Sequence, residues 1–202
     1  MKKILLITAL FLLTFKIAEA HNPLSAMYYL EVEGDFGILN ISLSQAGLDQ
    51  ALIASFPNKD ISKISNEEYK KLAVAYIKDH FQLAVNNEDV NILNGGIKLG
   101  NHQTDLKFIT SVVPESFNSI DLKIDAFKEN DHHQTIFSLL LNGETSKVVL
   151  SDSNDYTTSK VFKNNLMITD NQKFNANYLW FIAVIPVVVF GRKFLPSSKS
   201  IT

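Results

Sequence analysis

The residue with the most distinctive chemistry is His21, which stands directly after Ala18-Glu19-Ala20. That small-x-small tripeptide is what signal peptidase cuts behind, so the expected mature chain begins with histidine. An N-terminal histidine offers one metal both its α-amine and its imidazole. A further imidazole would complete a nitrogen-rich, roughly planar donor set suited to Cu(II) or Ni(II). His80, His102, His132 and His133 are the candidates for that further donor. The expected metal site is therefore His21 plus one of these four, with copper or nickel as the cofactor. The plainer reading is that His21 is a residue signal peptidase tolerates there.

The pair His132-His133 belongs to the run Asn130-Asp131-His132-His133-Gln134. Asp-His-His is also a triplet of a phosphoesterase family, but those enzymes need several further Asp/His motifs on an α/β scaffold. Turn chemistry accounts for Asn130 and Asp131. The run is expected to be a hairpin turn between the strand-like segments SIDLKIDAF (119–127) and TIFSLLLNG (135–143). Neighbouring strand residues point to opposite faces, so His132 and His133 are not expected to chelate together. The chain contains no G-x-S-x-G, no H-E-x-x-H and no glycine-rich phosphate loop. DSND (152–155) lacks the Gly and the distal Glu of an EF-hand. Asp121 and Asp125 alternate with Ile120, Leu122 and Ile124, as the solvated face of a strand does. No catalytic residue is assigned, and the expected function is not enzymatic.

Both ends of the chain read as targeting or membrane segments. Lys2 and Lys3 precede the apolar run ILLITALFLLTF (4–15), which with Ala18-Glu19-Ala20 makes residues 1–20 a signal peptide. Near the other end, YLWFIAVIPVVVFG (178–191) is uncharged, and 174–195 is long enough for one transmembrane helix. Tyr178 and Trp180 suit the outer interface, and Arg192, Lys193 and Lys199 suit the cytoplasmic side. Residues 196–202 would form a cytoplasmic tail. Two other readings of the apolar run are a core element of the domain and a sorting tail removed after export. The expected protein is single-pass in a bacterial cell membrane, with residues 21–173 on the periplasmic or extracellular side. The chain has no cysteine, so that domain must hold together by its core. Thirteen lysines against twenty acidic side chains give residues 21–173 a formal charge of −7. Such a surface argues against nucleic acid and anionic lipid heads as ligands. The partners expected instead are a membrane protein or a metal ion.

Period-two alternation dominates residues 21–173. SAMYYLEVEG and GILNISLS flank the turn at 34–37, and further strand-like runs follow from 81 to 151. Asn86-Asn87, Asn94-Gly95-Gly96, Pro114, Asn130-Asp131 and Asn142-Gly143 read as the turns between them. One helix is clear. Ser65-Asn66-Glu67-Glu68 has the form of a capping box, and Tyr69, Leu72, Ala73, Tyr76, Ile77 and His80 follow on one helical stripe. A shorter helix is expected at 48–55. The fold class is a mostly β, antiparallel β-sandwich, Ig-like or barrel-like, with one inserted helix.

The order of these segments resembles a known arrangement. His21, strands, then LDQAL (48–52), Ser65-Asn66-Glu67-Glu68, YIKDHFQL (76–83) and HHQTIFSLLLNGETSKVVLS (132–151) resemble the exported N-terminal domain of HupE/UreJ-type membrane proteins, and related secreted β-domains of unknown function. The likeness is spread over most of 21–160. It implies a β-domain associated with nickel or cobalt handling. The multi-span transport part of that family has no counterpart here, where one span is a candidate, so transport by this chain alone is not implied. Some relatives carry an acidic calcium loop before the helix. The corresponding FPNKDISKISNEE (56–68) offers Asp60 and Asn58 where several oxygen ligands and a Gly are needed. The expected function is a membrane-tethered, non-enzymatic binding or accessory module. The alternative is a copper- or nickel-binding accessory protein that uses His21.

Overall fold

The computed structural model describes residues 25–163 and 166–168. His21, the signal segment 1–20, the apolar segment 174–195 and the tail 196–202 lie outside the described residues. Among the described residues, no helix is long and apolar enough to cross a membrane.

The chain opens with β1 (Ala26–Glu33) and β2 (Phe36–Ser44), an antiparallel hairpin in which Ala26 faces Leu43 and Glu33 faces Phe36. The alternation in AMYYLEVE turns Ala26, Tyr28 and Leu30 inward and leaves Met27 exposed. Two helices follow. Helix α1 (Gln45–Ser55) starts at Ser44, whose hydroxyl accepts the Gly47 N–H at 3.3 Å. Helix α2 (Asn66–Asp79) starts at Ser65, whose hydroxyl accepts the Glu68 N–H at 3.2 Å. The Glu68 carboxylate, expected to reach back to the cap, accepts instead from Lys59. The predicted stripe of α2 is the buried one: Tyr69, Ala73, Tyr76 and Ile77. A polar knot joins both helices to the sheet. Tyr69 Oη donates to Asp49 Oδ1 (2.6 Å), Gln45 Nε2 donates to Asp49 Oδ1 (2.9 Å), and Thr104 Oγ1 donates to Gln45 Oε1.

The remaining elements are β3 (Phe81–Val85), β4 (Glu88–Asp89), β5 (Ile92–Lys98), β6 (Gln103–Val112), β7 (Ser119–Ile124), β8 (Thr135–Leu141), β9 (Glu144–Leu150), a 3-10 turn (Asp152–Asn154), β10 (Thr157–Lys163) and β11 (Leu166–Met167). They form two sheets, ordered β5-β6-β2-β1-β8-β9 and β11-β10-β7-β3-β4. Both sheets feed one core. Leu30, Leu39, Ile41 and Phe108 come from the first, and Leu83, Leu122 and Ile124 from the second. The rings of Tyr28 and Phe81 stack across them at 6.1 Å. Each such fully buried side chain contributes roughly 1.5–3 kcal/mol of transfer free energy.

Three expectations need correction. The strands are not all antiparallel: β8 runs parallel to β1, with Ala26 facing Thr135 and Glu31 facing Leu140. The cause lies in the connection from β7, which is not a hairpin. Since β7 and β8 belong to different sheets, residues 125–134 cross between sheets, and β8 is free of the antiparallel sense that a tight hairpin would impose. Phe127 is buried in that crossover, and Asn130 Nδ2 donates to the Gly47 carbonyl at 3.2 Å. Second, Asn94-Gly95-Gly96 is not a turn but part of β5, at a register irregularity against β6. Third, the insertion between β2 and β3, one helix in the expected fold class, contains two: the shorter helix expected at 48–55 is present as α1 and begins three residues earlier, at Gln45. The expected turns at Asn86-Asn87 and Asn142-Gly143 are present, each with positive φ at both residues, as tight hairpins require.

Candidate functional site

The outward face of the six-stranded sheet holds a concavity of about 790 Å³ to which all six strands contribute. Strand register lays its residues out in rows. One row reads Gly96, Lys107, Asn40, Tyr29, Ser138, Lys147 from β5 to β9. The row beside it reads Lys98, Asp105, Ser42, Met27, Ile136, Val149. Tyr29, Met27 and Ile136 thus sit on the middle strands among Asn40, Ser42 and Ser138, and the lysines stand toward both edges.

This face departs from an ordinary solvated one. Met27 is 54 % exposed, Val149 51 % and Ile109 49 %. A sheet with one wet face normally sets polar residues there; here Met27, Ile136 and Val149 adjoin in one row, and apolar side chains gathered on an outer face mark an interaction surface. The charged groups divide in two. Asp105 is engaged within the sheet, where its Oδ1 accepts from Ser42 Oγ at 3.0 Å and from Gln103 Nε2 at 2.7 Å. Lys98, Lys107 and Lys147 take part in no ion pair among the described residues.

The histidines lie elsewhere. His80 caps α2, and its Nδ1 lies 2.7 Å from Asp125 Oδ1, with its ring 4.5 Å from that of Tyr76. Asp125 also receives Lys128 at 3.1 Å and Lys123 at 3.5 Å. Burial raises the Asp125 carboxyl, but the hydrogen bonds and charges of His80 and Lys128 outweigh it and hold the group below the usual carboxylate range. Asp125 is therefore not on a solvated strand face: it follows β7, and its side chain is 15 % exposed. His102 is exposed, and its carbonyl accepts the Gln45 N–H at 3.0 Å. His132 is exposed with φ 57, whereas His133 is 1 % exposed with Nε2 2.9 Å from Thr135 Oγ1 and its ring beside Phe127 and Tyr156. Among the described residues, no three His, Cys, Asp or Glu side chains come together as a metal site. His21 lies outside those residues.

The groove residues were not among the candidates read from the sequence. Alternation reveals which residues face outward, but not which strands lie side by side. The available signal was Met27, Tyr29, Ile136 and Val149, apolar residues in outward positions of predicted strands.

No protein-family model matches the chain, and no curated protein matches it in sequence. The likeness to the exported HupE/UreJ-type domain therefore rests on the residues quoted for it.

Proposed function

We propose that the protein is a non-enzymatic binding module that receives its ligand on the outward face of the six-stranded sheet. In full, the reading is an extracytoplasmic β-sandwich exported behind residues 1–20, tethered by the apolar segment 174–195, and acting as an accessory domain of the kind the HupE/UreJ resemblance implies. The observation that carries it is the 790 Å³ concavity, with Met27 exposed and Tyr29 and Ile136 half-buried at its centre and hydrogen-bonding side chains among them. A concave outer face with apolar side chains at its centre and polar groups around them is the form an interaction surface takes. Its ionisable lining of Asp105, Lys98, Lys107 and Lys147 suits holding and orienting a ligand.

The chain has no cysteine, so a single introduced thiol reports on one place. Met27→Cys sits in the groove, and Val161→Cys sits on β10 of the other sheet at a similar exposure, 54 % against 60 %. Maleimide labelling should be slower at position 27 in intact producing cells than in the purified chain, and equal in both at position 161. Equal rates at position 27 would reject occupancy of the groove.

A further inference from the structure

We infer that the occupant of the groove is a polypeptide segment of a partner protein, with acidic side chains on both sides of an apolar centre. This deepens the reading of the groove as a binding surface and rests on it. The cations stand at both ends: Lys98 and Lys107 on β5 and β6, Lys147 on β9. Lys107 and Lys147 share a row, and β2, β1 and β8 lie between their strands. Four inter-strand spacings of about 4.8 Å put their backbones about 19 Å apart. Lys59, Lys63, Lys70, Lys123 and Lys128 have acidic partners; the three groove lysines, like Lys71, Lys78, Lys160 and Lys163, are in no ion pair among the described residues, and what sets the groove three apart is that they line one concavity. The one acid lining the groove, Asp105, is already engaged by Ser42 and Gln103. The groove is thus positive in a domain whose residues 21–173 carry −7. A local sign opposite to the global one is complementarity toward an anionic partner.

The shape narrows the class. A single-headed anion, such as a fatty acid, would use the lysines of one end only. Small molecules also favour hollows that enclose most of their surface, whereas this one is an open trough crossing every strand of the sheet. A polypeptide laid across it covers about 19 Å with about six extended residues or about thirteen helical ones. Its apolar centre would meet Met27, Tyr29 and Ile136, and Asn40 and Ser138 can hydrogen-bond its backbone.

The test pans a displayed library of random peptides, about sixteen residues long so that a helix of that span fits, on the immobilised full-length chain. Affinities of selected peptides and of oleate are then measured on the chain, on Lys107→Glu/Lys147→Glu and on Met27→Asp/Ile136→Asp. Thermal melts verify that both variants fold. Selected peptides should carry Asp or Glu on both sides of an aliphatic or aromatic centre. They should bind the lysine variant at least about ten-fold more weakly and lose affinity as salt is added. Four results overturn the inference: no enrichment, enriched peptides without acidic excess, unchanged affinity for the lysine variant, or lysine-dependent binding of oleate alone. Peptides that ignore the lysine variant but fail on Met27→Asp/Ile136→Asp would remove the acidic class and keep the groove. Peptides that ignore both variants would remove the groove as well.

Discussion

Tyr28 carries its hydroxyl into the core, where the group has no hydrogen-bond partner among the described residues. Burial drives that hydroxyl well above the ordinary tyrosine range, with the charges of Tyr76 and Asp125 adding to it. Tyr28→Phe keeps the ring against Phe81 and removes the unsatisfied group. Thermal unfolding should show a protein equal to or up to about 1 kcal/mol more stable than the parent. A loss of that size would show that the hydroxyl has a bound partner. Asp125 behaves oppositely, being held in its charged form. A carboxyl with a depressed folded-state pKa stabilises above its unfolded value, about 3.9, and that contribution is lost as pH falls through the folded value. Asp125→Asn should cost about 1–3 kcal/mol at neutral pH in urea unfolding, with the difference shrinking below about pH 4. A difference constant down to acid pH would mean that its charge plays no part. His21 belongs to this scale too. A chain starting at an authentic His21 should bind Cu(II) more tightly than one with an extra residue before it, because that residue turns the α-amine into an amide. Identical paramagnetic resonance spectra and affinities would reduce His21 to a by-product of cleavage.

Strand β5 is the element where local reading and structure part most clearly. Asn-Gly-Gly signals a turn on its own, yet Gly95 and Gly96 stay paired to β6. A Cβ at Gly95 would stand 2.3 Å from the Lys107 carbonyl oxygen and from the Phe108 ring, while one at Gly96 meets nothing within 4 Å. Gly95 therefore serves the close approach of two strands. Gly95→Ala should destabilise by about 1–3 kcal/mol, and Gly96→Ala should stay within about 0.5 kcal/mol. Urea unfolding of the pair checks this, and equal effects would refute the packing argument. Helix α2 is the opposite case. Its cap at Ser65 and its buried stripe are local in sequence and stand where the pattern sets them. Only the reciprocal half of the cap differs, because Lys59 competes for the Glu68 carboxylate.

At the scale of the molecule, the ends of the chain carry the expectation about its location. The run 174–195, with Tyr178 and Trp180 near its start and Arg192 and Lys193 near its end, matches a membrane span in length and flanks. The full-length chain should sediment with membranes, and a stop codon after Lys173 should leave the product soluble. A full-length chain found soluble with its tail intact would reject the tether. The acidic balance of residues 21–173 conceals the opposite charge of the groove, because composition averages over surfaces that the fold keeps apart.

Sequence by itself determined what depends on near neighbours: strand alternation, the tight turns at Asn86-Asn87 and Asn142-Gly143, and the cap and buried stripe of α2. These follow from backbone sterics and side-chain periodicity within a few residues. Tertiary structure alone decided what depends on partners far along the chain. It set β8 parallel to β1, drew Asp125 to His80, buried His133 while leaving His132 exposed, and aligned Lys107 from β6 with Lys147 from β9. The physical reason is that strand order is selected by burial of one shared core, and no local pattern encodes which strands become neighbours.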